Sequence, residues 1–406
     1  RFWVQILAGA KIMEIRKNLF FLIIFLSAIS RFFVIHLYGD QYIQTEWEEI
    51  FSAFEKFGIF GREINGEVVP NLYMPPLYPM FLILLKFLFP FDSNFQLFVL
   101  YVQILLSIIS IFYFNKILRF FFSENLSLIG TSIFAFFPLN IYSVGQSSSS
   151  CLQLFLLVLF FYFFLKLKDK ENFKNSLMFS IFSSSLILIR GEFILTYFLT
   201  IFYIFIVNRK LKFLVISTLI CLIMISPYII RNYNITNKII ITKSLGFNLW
   251  KGNNILSRVE GNDKIYDDNM KQEYENLIRD DQYDINMDNI YKKQVIKNIQ
   301  NDTTRYLFLY LKKFFSFMFI DFESSRPNYY NFFHIVPKII LSIFSFVGLA
   351  FLLKKQKGAF NYFAYFYLYN ISLFSLFFIL PRYSLMLLPA QIILTCYVLR
   401  KLKPNI

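Results

Sequence analysis

The sequence is poor in cysteine, histidine and charged residues. Three cysteines and two histidines occur among 406 residues. Cys151, Cys221 and Cys396 lie within apolar runs, whereas a disulfide framework or a zinc site would place cysteines in hydrophilic stretches. His36 and His334 show no spacing that suits a shared ligand, so we expect both to be structural. We therefore expect no metal and no cofactor.

The scarce charge is confined to short segments. Asp, Glu, Lys and Arg make up 17% of the chain, against 57% hydrophobic and 21% aromatic residues. One soluble core could not bury that much apolar surface, so a bilayer must be the solvent for most of it. Apolar runs recur near the roughly 20 residues that a helix needs to cross a hydrocarbon core of about 30 Å. This pattern predicts an all-α polytopic transmembrane bundle of about ten or eleven spans.

The excess of basic residues does not indicate nucleic acid. The formal net charge is +15, but the lysines and arginines stand in short clusters beside the apolar runs. Clusters of this kind fix the orientation of membrane helices. We expect membrane lipids as the surroundings and no nucleic-acid partner.

The apolar runs between polar breaks define the predicted spans. They lie near 18–38, 75–90, 93–121, 175–189, 191–207, 213–230, 333–353, 359–380 and 383–399. The stretch 126–167 is ambiguous, because Gly145 to Ser150 separates two apolar pieces that fit two crossings or one broken crossing. With one crossing, the basic clusters all fall on the side of Arg16 and Lys17, in accord with the positive-inside rule. We therefore predict seven crossings, a large external loop and three more crossings.

Two hydrophilic segments face outward in this topology, near 39–74 and 231–332. The first contains seven acidic and two basic residues, a net charge of −5. Apolar residues at spacings of three and four predict an amphipathic interfacial helix from Thr45 to Phe57. We interpret 287–319 as a second interfacial helix. The predicted units are a catalytic module 1–232 with its first external loop 39–74, an external region 233–332 and C-terminal helices 333–406.

Two acidic residues in the first external segment are candidates for a general base. Asp40 follows the first span directly, after Tyr38 and Gly39, so its carboxylate should lie just outside the apolar layer. Transfer of a sugar to a hydroxyl or an amine draws a proton from the nucleophile, and an Asp or Glu within hydrogen-bond reach can accept it. Asp40 and Glu46 are the two candidates. The alternative is that both only solvate the interfacial helix.

Three arginines lie at predicted membrane boundaries. Arg190 separates two spans, Arg231 ends the seventh and Arg382 begins the last. An unpaired charge at such a boundary is costly, so each arginine is a candidate for binding a lipid phosphate. A guanidinium there would stabilise the negative charge that develops on a phosphate leaving group. Contact with ordinary lipid headgroups is the alternative for each.

These residues belong to an ordered set of motifs. The set comprises Asp40 with Glu46-Trp47, Met74-Pro75-Pro76-Leu77-Tyr78-Pro79, Arg190, Ser226 to Tyr233 with Arg231-Asn232, Gly246 to Asn254, and Pro381-Arg382-Tyr383. No single motif is specific. Their order and their positions relative to the spans resemble the bacterial dolichyl-phosphate-mannose-protein mannosyltransferase-like glycosyltransferases of the GT-C fold, which include the aminoarabinose transferases acting on lipid A. The resemblance covers nearly the whole chain.

The resemblance implies a seven-span GT-C module, a catalytic acid on the first external loop and a polyprenyl-phosphate sugar donor. Asp40 would be the acid, and the three boundary arginines would hold the carrier phosphate. Relatives place the acid closer to an aromatic residue, whereas Asp40 lies seven residues before Trp47 and Glu46 directly precedes it. The choice between Asp40 and Glu46 therefore stays open, with Asp40 favoured. Residues implied on the acceptor side or in the external part of the cavity are Pro75, Pro76, Tyr78, Asn232, Asn248, Trp250, Asn253, Asn254 and Tyr383.

The predicted function is transfer of a sugar from a polyprenyl-phosphate carrier to a lipid, glycan or protein acceptor on the outer face of the inner membrane. One alternative is a transporter or flippase for a lipid-linked sugar, which would need no acid on the first external loop. Another is a polysaccharide polymerase or ligase, which would use a longer donor and depend on arginines of a large external loop.

Overall fold

Helices make up most of the chain. The computed structural model describes residues 2–43, 45–209, 211–324, 326, 331–353 and 358–403, with side chains except at 2–13, 45, 92 and 353. In chain order the elements are α1 (Phe2–Tyr38), α2 (Thr45–Phe57), β1 (Gly61–Ile64), β2 (Glu67–Pro70), α3 (Leu77–Leu88), α4 (Phe95–Arg119), α5 (Glu124–Phe136), α6 (Pro138–Tyr142), α7 (Ser150–Asp169), α8 (Phe173–Ile189), α9 (Phe193–Asn208), α10 (Lys212–Thr236), α11 (Leu245–Asn253), α12 (Asp268–Glu275), α13 (Tyr283–Asn301), α14 (Thr303–Met318), α15 (Phe332–Leu353), α16 (Gly358–Phe374) and α17 (Ser384–Leu402).

Six helices in the described part of the chain are long and apolar enough to cross a membrane. They are Glu14–Tyr38 within α1, α4, α7, α10, Phe332–Leu352 within α15, and Pro381–Leu402 around α17. A seventh candidate is the pair formed by α5 and the segment Pro138–Gly145, bent by 51°. Helices α3, α8 and α9 are apolar but shorter. The predicted fold class, an all-α polytopic membrane bundle, is confirmed.

Contacts between helix ends define two ends of the bundle. At the cavity end, the Asp40 N–H donates to the Gly145 carbonyl at 2.8 Å, so α1 ends beside the segment that follows α6. At the basic end, Arg16 Nη1 of α1 lies 3.3 Å from Glu124 Oε2 at the start of α5. Helix α1 and the α5–α6 pair therefore both run from the basic end to the cavity end.

The later helices return to the same two ends. At the basic end, Asn208 Nδ2 of α9 donates to the Lys168 carbonyl of α7 at 3.1 Å. Also there, Arg400 Nη1 of α17 donates to the carbonyl of Phe121, just beyond α4, at 3.0 Å. Followed between these ends, the described part of the chain makes ten passes: α1, α4, α5 with α6, α7, α8, α9, α10, α15, α16 and α17.

The first seven passes differ from the prediction in two places. Helix α3 is not a pass, because both its ends lie against α2: the Tyr78 and Trp47 ring centroids are 5.1 Å apart, and Lys86 Nζ lies 3.7 Å from Glu55 Oε1. Its 12 residues span about 18 Å, less than the roughly 30 Å of a hydrocarbon core. The stretch 126–167 instead makes two passes, since α5–α6 and α7 run in opposite directions. The two differences cancel, so seven passes still precede the external loop.

The bend between α5 and α6 is held by a buried arginine. Helix α5 ends at Phe136 and Pro138 has no backbone N–H, so the last carbonyls of α5 have no helical donors. Arg31 Nη1 of α1 donates to one of them, the Ala135 carbonyl, at 3.0 Å. Arg31 is fully buried and also donates to Ser107 Oγ of α4 at 2.8 Å. One charged side chain thus ties three passes together and fixes the course of α6 toward the cavity end.

A β-hairpin stands in the first external segment, which the sequence analysis predicts only as helix and loop. Its strands are antiparallel, with Ile64 paired to Glu67. The turn residues Asn65 and Gly66 have φ values of 52° and 87°. A type I′ turn requires positive φ at both positions, and Asn-Gly is its usual sequence. The hairpin was therefore readable from the sequence.

The hairpin packs with the large external loop into an external cap (β1, β2 and α11–α14) over the cavity end. The core of the cap contains Trp250 and Tyr291 from the loop and Tyr73 from the first external segment. The predicted interfacial helix 287–319 is two helices, α13 and α14. Asp302 accepts the N–H of Arg305 at 3.0 Å and so caps a new helix start.

Candidate active site

A cavity of about 330 Å³ lies between the cavity end of the bundle and the external cap. Its walls come from the end of α1, the start of α2, the α6–α7 junction, the α8–α9 junction, α11 and the segment before α17. The structure brings together half of the predicted site residues there: Asp40, Glu46, Pro75, Arg190, Asn248, Arg382 and Tyr383. We call this space the main cavity.

Asp40 is fixed where α1 meets the α6–α7 junction. Its Oδ2 accepts the Ser147 N–H at 2.7 Å, in addition to the backbone bond to Gly145. Burial raises the pKa of the Asp40 carboxyl, and the bond from Ser147 partly offsets this by stabilising the carboxylate. A positioned carboxylate with a raised pKa is a stronger base than one in water. Asp40 can therefore accept a proton inside the main cavity.

Glu46 lines the same cavity from the first turn of α2. This helix is amphipathic as predicted, with Trp47, Ile50 and Phe51 buried against the bundle. The position of Glu46 depends on this packing, whereas that of Asp40 depends on backbone hydrogen bonds. Both acids thus face the cavity, and geometry favours Asp40 as the more rigidly held.

Arg190 and Arg382 bring positive charge to another part of the cavity lining. The Arg190 guanidinium carbon lies 4.7 Å from the centroid of the Tyr383 ring and 5.2 Å from that of Phe374. Arg190 Nε also donates to Glu192 Oε1 at 2.8 Å. Stacking on aromatic faces orients a guanidinium while leaving N–H groups at its edge for an anion. These arginines can bind an anion in the cavity that Asp40 also lines.

One wall of the cavity is formed by residues outside the predicted site. Gln146, the four serines Ser147–Ser150, and Gln153 line it where α7 begins. Four serines in an apolar stretch are a signal in the sequence, but by themselves they predict only a break between two apolar pieces. Hydroxyl and amide groups both donate and accept hydrogen bonds, which suits the hydroxyls of a sugar.

Two further basic residues line the cavity, Lys251 and Arg326, and Lys251 Nζ lies 3.0 Å from Asp263 Oδ2. Lys251 lies within the motif Gly246 to Asn254 but is not among the predicted site residues. Nothing in the local sequence separates Arg326 from surface arginines. Within the described residues, no group of three or more His, Cys, Asp or Glu side chains is placed to hold a metal ion.

Arg231, a predicted phosphate ligand, lies outside the lining of the main cavity. Its Nη2 donates to the Phe60 carbonyl at 2.7 Å and its Nη1 to the Asn71 carbonyl at 2.8 Å. These carbonyls flank the β-hairpin, so Arg231 joins α10 to the first external segment. The guanidinium is engaged with protein backbone, which argues against a direct phosphate contact.

The other predicted residues outside the lining support its walls. They are Pro76, Tyr78, Asn232, Trp250, Asn253 and Asn254. Asn253 Nδ2 donates to the Leu376 carbonyl at 2.8 Å, which ties α11 to the segment before α17. Trp250 is fully buried in the core of the external cap. Asn253 and Trp250 thus position α11, whose Asn248 and Lys251 line the cavity.

The fold is similar to that of an archaeal membrane enzyme. No protein-family model and no curated protein matches the chain. The oligosaccharyltransferase of Archaeoglobus fulgidus, tethered to an acceptor peptide containing the NVT sequon, superposes with a TM-score of 0.54 at 11% identity over 95% of this chain and 50% of that one. The same organism's oligosaccharyltransferase AglB, with an inhibitory peptide and a dolichol-phosphate, gives 0.53 at 13% identity over 96% and 52%. The chain thus spans about half the length of these proteins, and over that length it shares their GT-C fold.

Proposed function

We propose that the chain is an integral membrane glycosyltransferase that transfers a sugar from a polyprenyl-phosphate carrier to a lipid, glycan or protein acceptor. The observation that carries the proposal is the main cavity, which places Asp40 and a hydroxyl-rich wall together with Arg190 and Arg382. A base, a polar surface for a sugar and cations for a phosphate are the three parts that this reaction needs.

The residues have the following roles in the proposed reaction. Asp40 accepts the proton of an acceptor hydroxyl or amine, whose electron pair forms a bond to the anomeric carbon. The bond between that carbon and the phosphate oxygen breaks, and the oxygen keeps the electron pair. Arg190 and Arg382 stabilise the charge that develops on the phosphate through charge-assisted hydrogen bonds. Serines 147–150 orient the sugar.

The fold relative supports a lipid carrier as the donor. One of its structures contains a dolichol-phosphate. The resemblance of the motifs to the protein mannosyltransferase and aminoarabinose transferase group supports a single-sugar donor on a polyprenyl phosphate.

The orientation follows from the distribution of charge. Lys166, Lys168, Arg400 and Lys401 all lie at the basic end of α7 and α17. Under the positive-inside rule this end faces the cytoplasm. The main cavity would then open to the outer face of the inner membrane.

The test of the function is transfer in vitro from radiolabelled polyprenyl-phosphate sugars to membrane lipid and protein fractions. The purified chain should label at least one fraction from at least one donor. A transporter would instead move the labelled lipid across a vesicle membrane without making product. Absence of product with every donor, together with such movement, would overturn the proposal.

Arg190→Ala should weaken donor use by roughly 10- to 100-fold, because hydrogen bonds to charged groups contribute about 1.5–3 kcal/mol each. The effect should appear mainly in the KM for the donor, and Arg190→Lys should recover part of it. The measurement is initial rate against donor concentration. Arg119→Ala, at the basic end, is the matched control and should behave as wild type; an unchanged donor KM in Arg190→Ala would remove Arg190 from the phosphate site.

A further inference from the structure

Two lysines are buried in the described part of the chain, and they differ in their partners. Lys313 of α14 donates to the Gly252 carbonyl at 2.8 Å and to Asn253 Oδ1 at 3.0 Å. Lys338 of α15 is 9% exposed, and its Nζ has no hydrogen-bond partner among the described residues. An ammonium buried without a partner costs several kcal/mol. An ionisable residue inside a membrane pass is therefore a functional group in need of a partner.

Lys338 lines a second, smaller space, which we call the Lys338 pocket. It has a volume of about 30 Å³ and lies among α15, the end of α14, the start of α6 and the segment before α17. Apolar side chains, among them Leu139, Phe317 and Leu380, form most of its lining, with His334 near Lys338. One cation in an apolar surround suits an anionic headgroup attached to an apolar chain. On the same measure the main cavity holds about 330 Å³, so a ligand group in the pocket must be smaller than one in the main cavity.

The Lys338 pocket and the main cavity share a wall. Residues 378–380 belong to no helix or strand, and the backbone of Leu380 is extended. Phe378 lines the main cavity, Ile379 lines the Lys338 pocket and Leu380 lines both. The same segment continues to Arg382, which faces the main cavity. A phosphate beside Lys338 would thus lie across a single layer of side chains from the sugar donor.

We propose that the Lys338 pocket binds the phosphate of the polyprenyl carrier after the sugar has been transferred. That the ligand is the polyprenyl carrier rests on the proposed function. That the pocket binds the phosphate of a lipid is argued from the pocket alone. A lipid monophosphate without its sugar fits the small volume. It also carries more negative charge than the sugar-linked diester, because its second oxygen ionises near neutral pH. Lys338 thereby favours the product carrier over the loaded donor.

The experiment is thermal unfolding of the purified chain in detergent, titrated with one of three probes. These are a long-chain polyprenyl monophosphate, phosphatidylglycerol and inorganic phosphate. We expect saturable stabilisation by the polyprenyl monophosphate, since a ligand that binds only the folded state stabilises it by mass action. The apparent Kd should rise at least roughly tenfold in Lys338→Met, as expected when a charge-assisted contact is lost. Lys312→Met, an exposed lysine on α14, should leave it unchanged.

Three results would overturn this inference. The first is an equal Kd for polyprenyl monophosphate in wild type and Lys338→Met. The second is equally tight, Lys338-dependent binding of phosphatidylglycerol, which would make the pocket a general lipid site. The third is equally tight binding of inorganic phosphate, which would show that the polyprenyl chain of the lipid contributes nothing to binding. If Lys338→Met does not fold, Leu139→Trp fills the pocket while keeping the charge, and it should weaken binding as well.

The inference and the proposed function fail separately. Lys338-dependent binding in a chain that transfers no sugar would contradict the function and leave the lipid-phosphate site standing. Sugar transfer by a protein that binds polyprenyl monophosphate equally well with and without Lys338 would contradict the lipid-phosphate site and leave the proposed function standing.

Discussion

Asp40→Asn is expected to lower the rate of sugar transfer by about 10²- to 10⁴-fold, the usual contribution of a positioned general base. The amide keeps an oxygen that can accept the Ser147 N–H, so the α1 terminus should stay in place. Burial raises the pKa of Asp40, which means that folding favours its neutral form. The neutral amide should therefore leave thermal stability at neutral pH equal or slightly higher. Initial rates and a thermal melt of the same preparation check both statements.

Glu46→Gln is the matched comparison for Asp40→Asn. It removes a carboxylate from the same cavity without touching the backbone bonds that hold Asp40. If Asp40 is the base, Glu46→Gln should retain most of the activity. Loss of transfer in Glu46→Gln alone would move the base to Glu46, and full activity in both variants would contradict the mechanism.

The pH dependence of transfer gives an independent check on the same base. Only the ionised carboxylate accepts a proton, so transfer should decline as the pH falls through the raised pKa of Asp40. The midpoint of that decline in kcat/KM should lie above the ordinary aspartate value of about 3.9. A midpoint at or below that value would show that the buried carboxyl is not the group that titrates.

Asp284→Asn is expected to destabilise the external cap by about 3–5 kcal/mol, the usual effect of removing one partner of a buried ion pair. Asp284 Oδ1 accepts a hydrogen bond from Arg62 Nη2 of β1, and its Oδ2 accepts the Leu72 N–H at 2.8 Å. The side chains of Asp284 and Arg62 are only 1% and 9% exposed. The amide leaves Arg62 charged and buried without its counter-ion. Faster hydrogen exchange over 61–72 and a lower melting temperature would report the loss.

Glu49→Gln is the control for this prediction. Glu49 Oε2 lies 3.9 Å from Arg62 Nη1, but its side chain is 47% exposed. Exposed pairs contribute about 0–1 kcal/mol, so Glu49→Gln should have little effect on stability. The double variant Arg62→Met with Asp284→Leu should regain part of what Asp284→Asn loses, because it leaves no buried charge. Equal melting temperatures for wild type and Asp284→Asn would show that the pair does not hold the cap.

The sequence predicts the membrane bundle and the general position of the site, because both depend on patterns along the chain. Apolar length defines a membrane helix, and Asp40 and Arg190 are recognisable as polar residues at helix ends. Helix α3 shows where this reasoning fails. Its apolar residues serve contacts with α2 and the start of α4, and composition does not distinguish a helix buried in protein from one in lipid.

The details of the cavity depend on contacts between distant segments. Arg231 has the same sequence signature as Arg190, yet its guanidinium binds the carbonyls of Phe60 and Asn71. The serine wall reaches Asp40 only because α5 is bent at Pro138 and held by Arg31. No local pattern specifies which residue across the fold will meet a given guanidinium or carboxylate.

The bond between Asp40 and Ser147 has a consequence for how the protein is made. The two residues are 107 positions apart, so Asp40 leaves the ribosome roughly 5–20 s before the segment that fixes it, at usual elongation rates. Arg382 is made later still, after nine of the ten described passes. A nascent chain therefore holds only part of the candidate site, and the proposed reaction must wait until the segment before α17 has been synthesised.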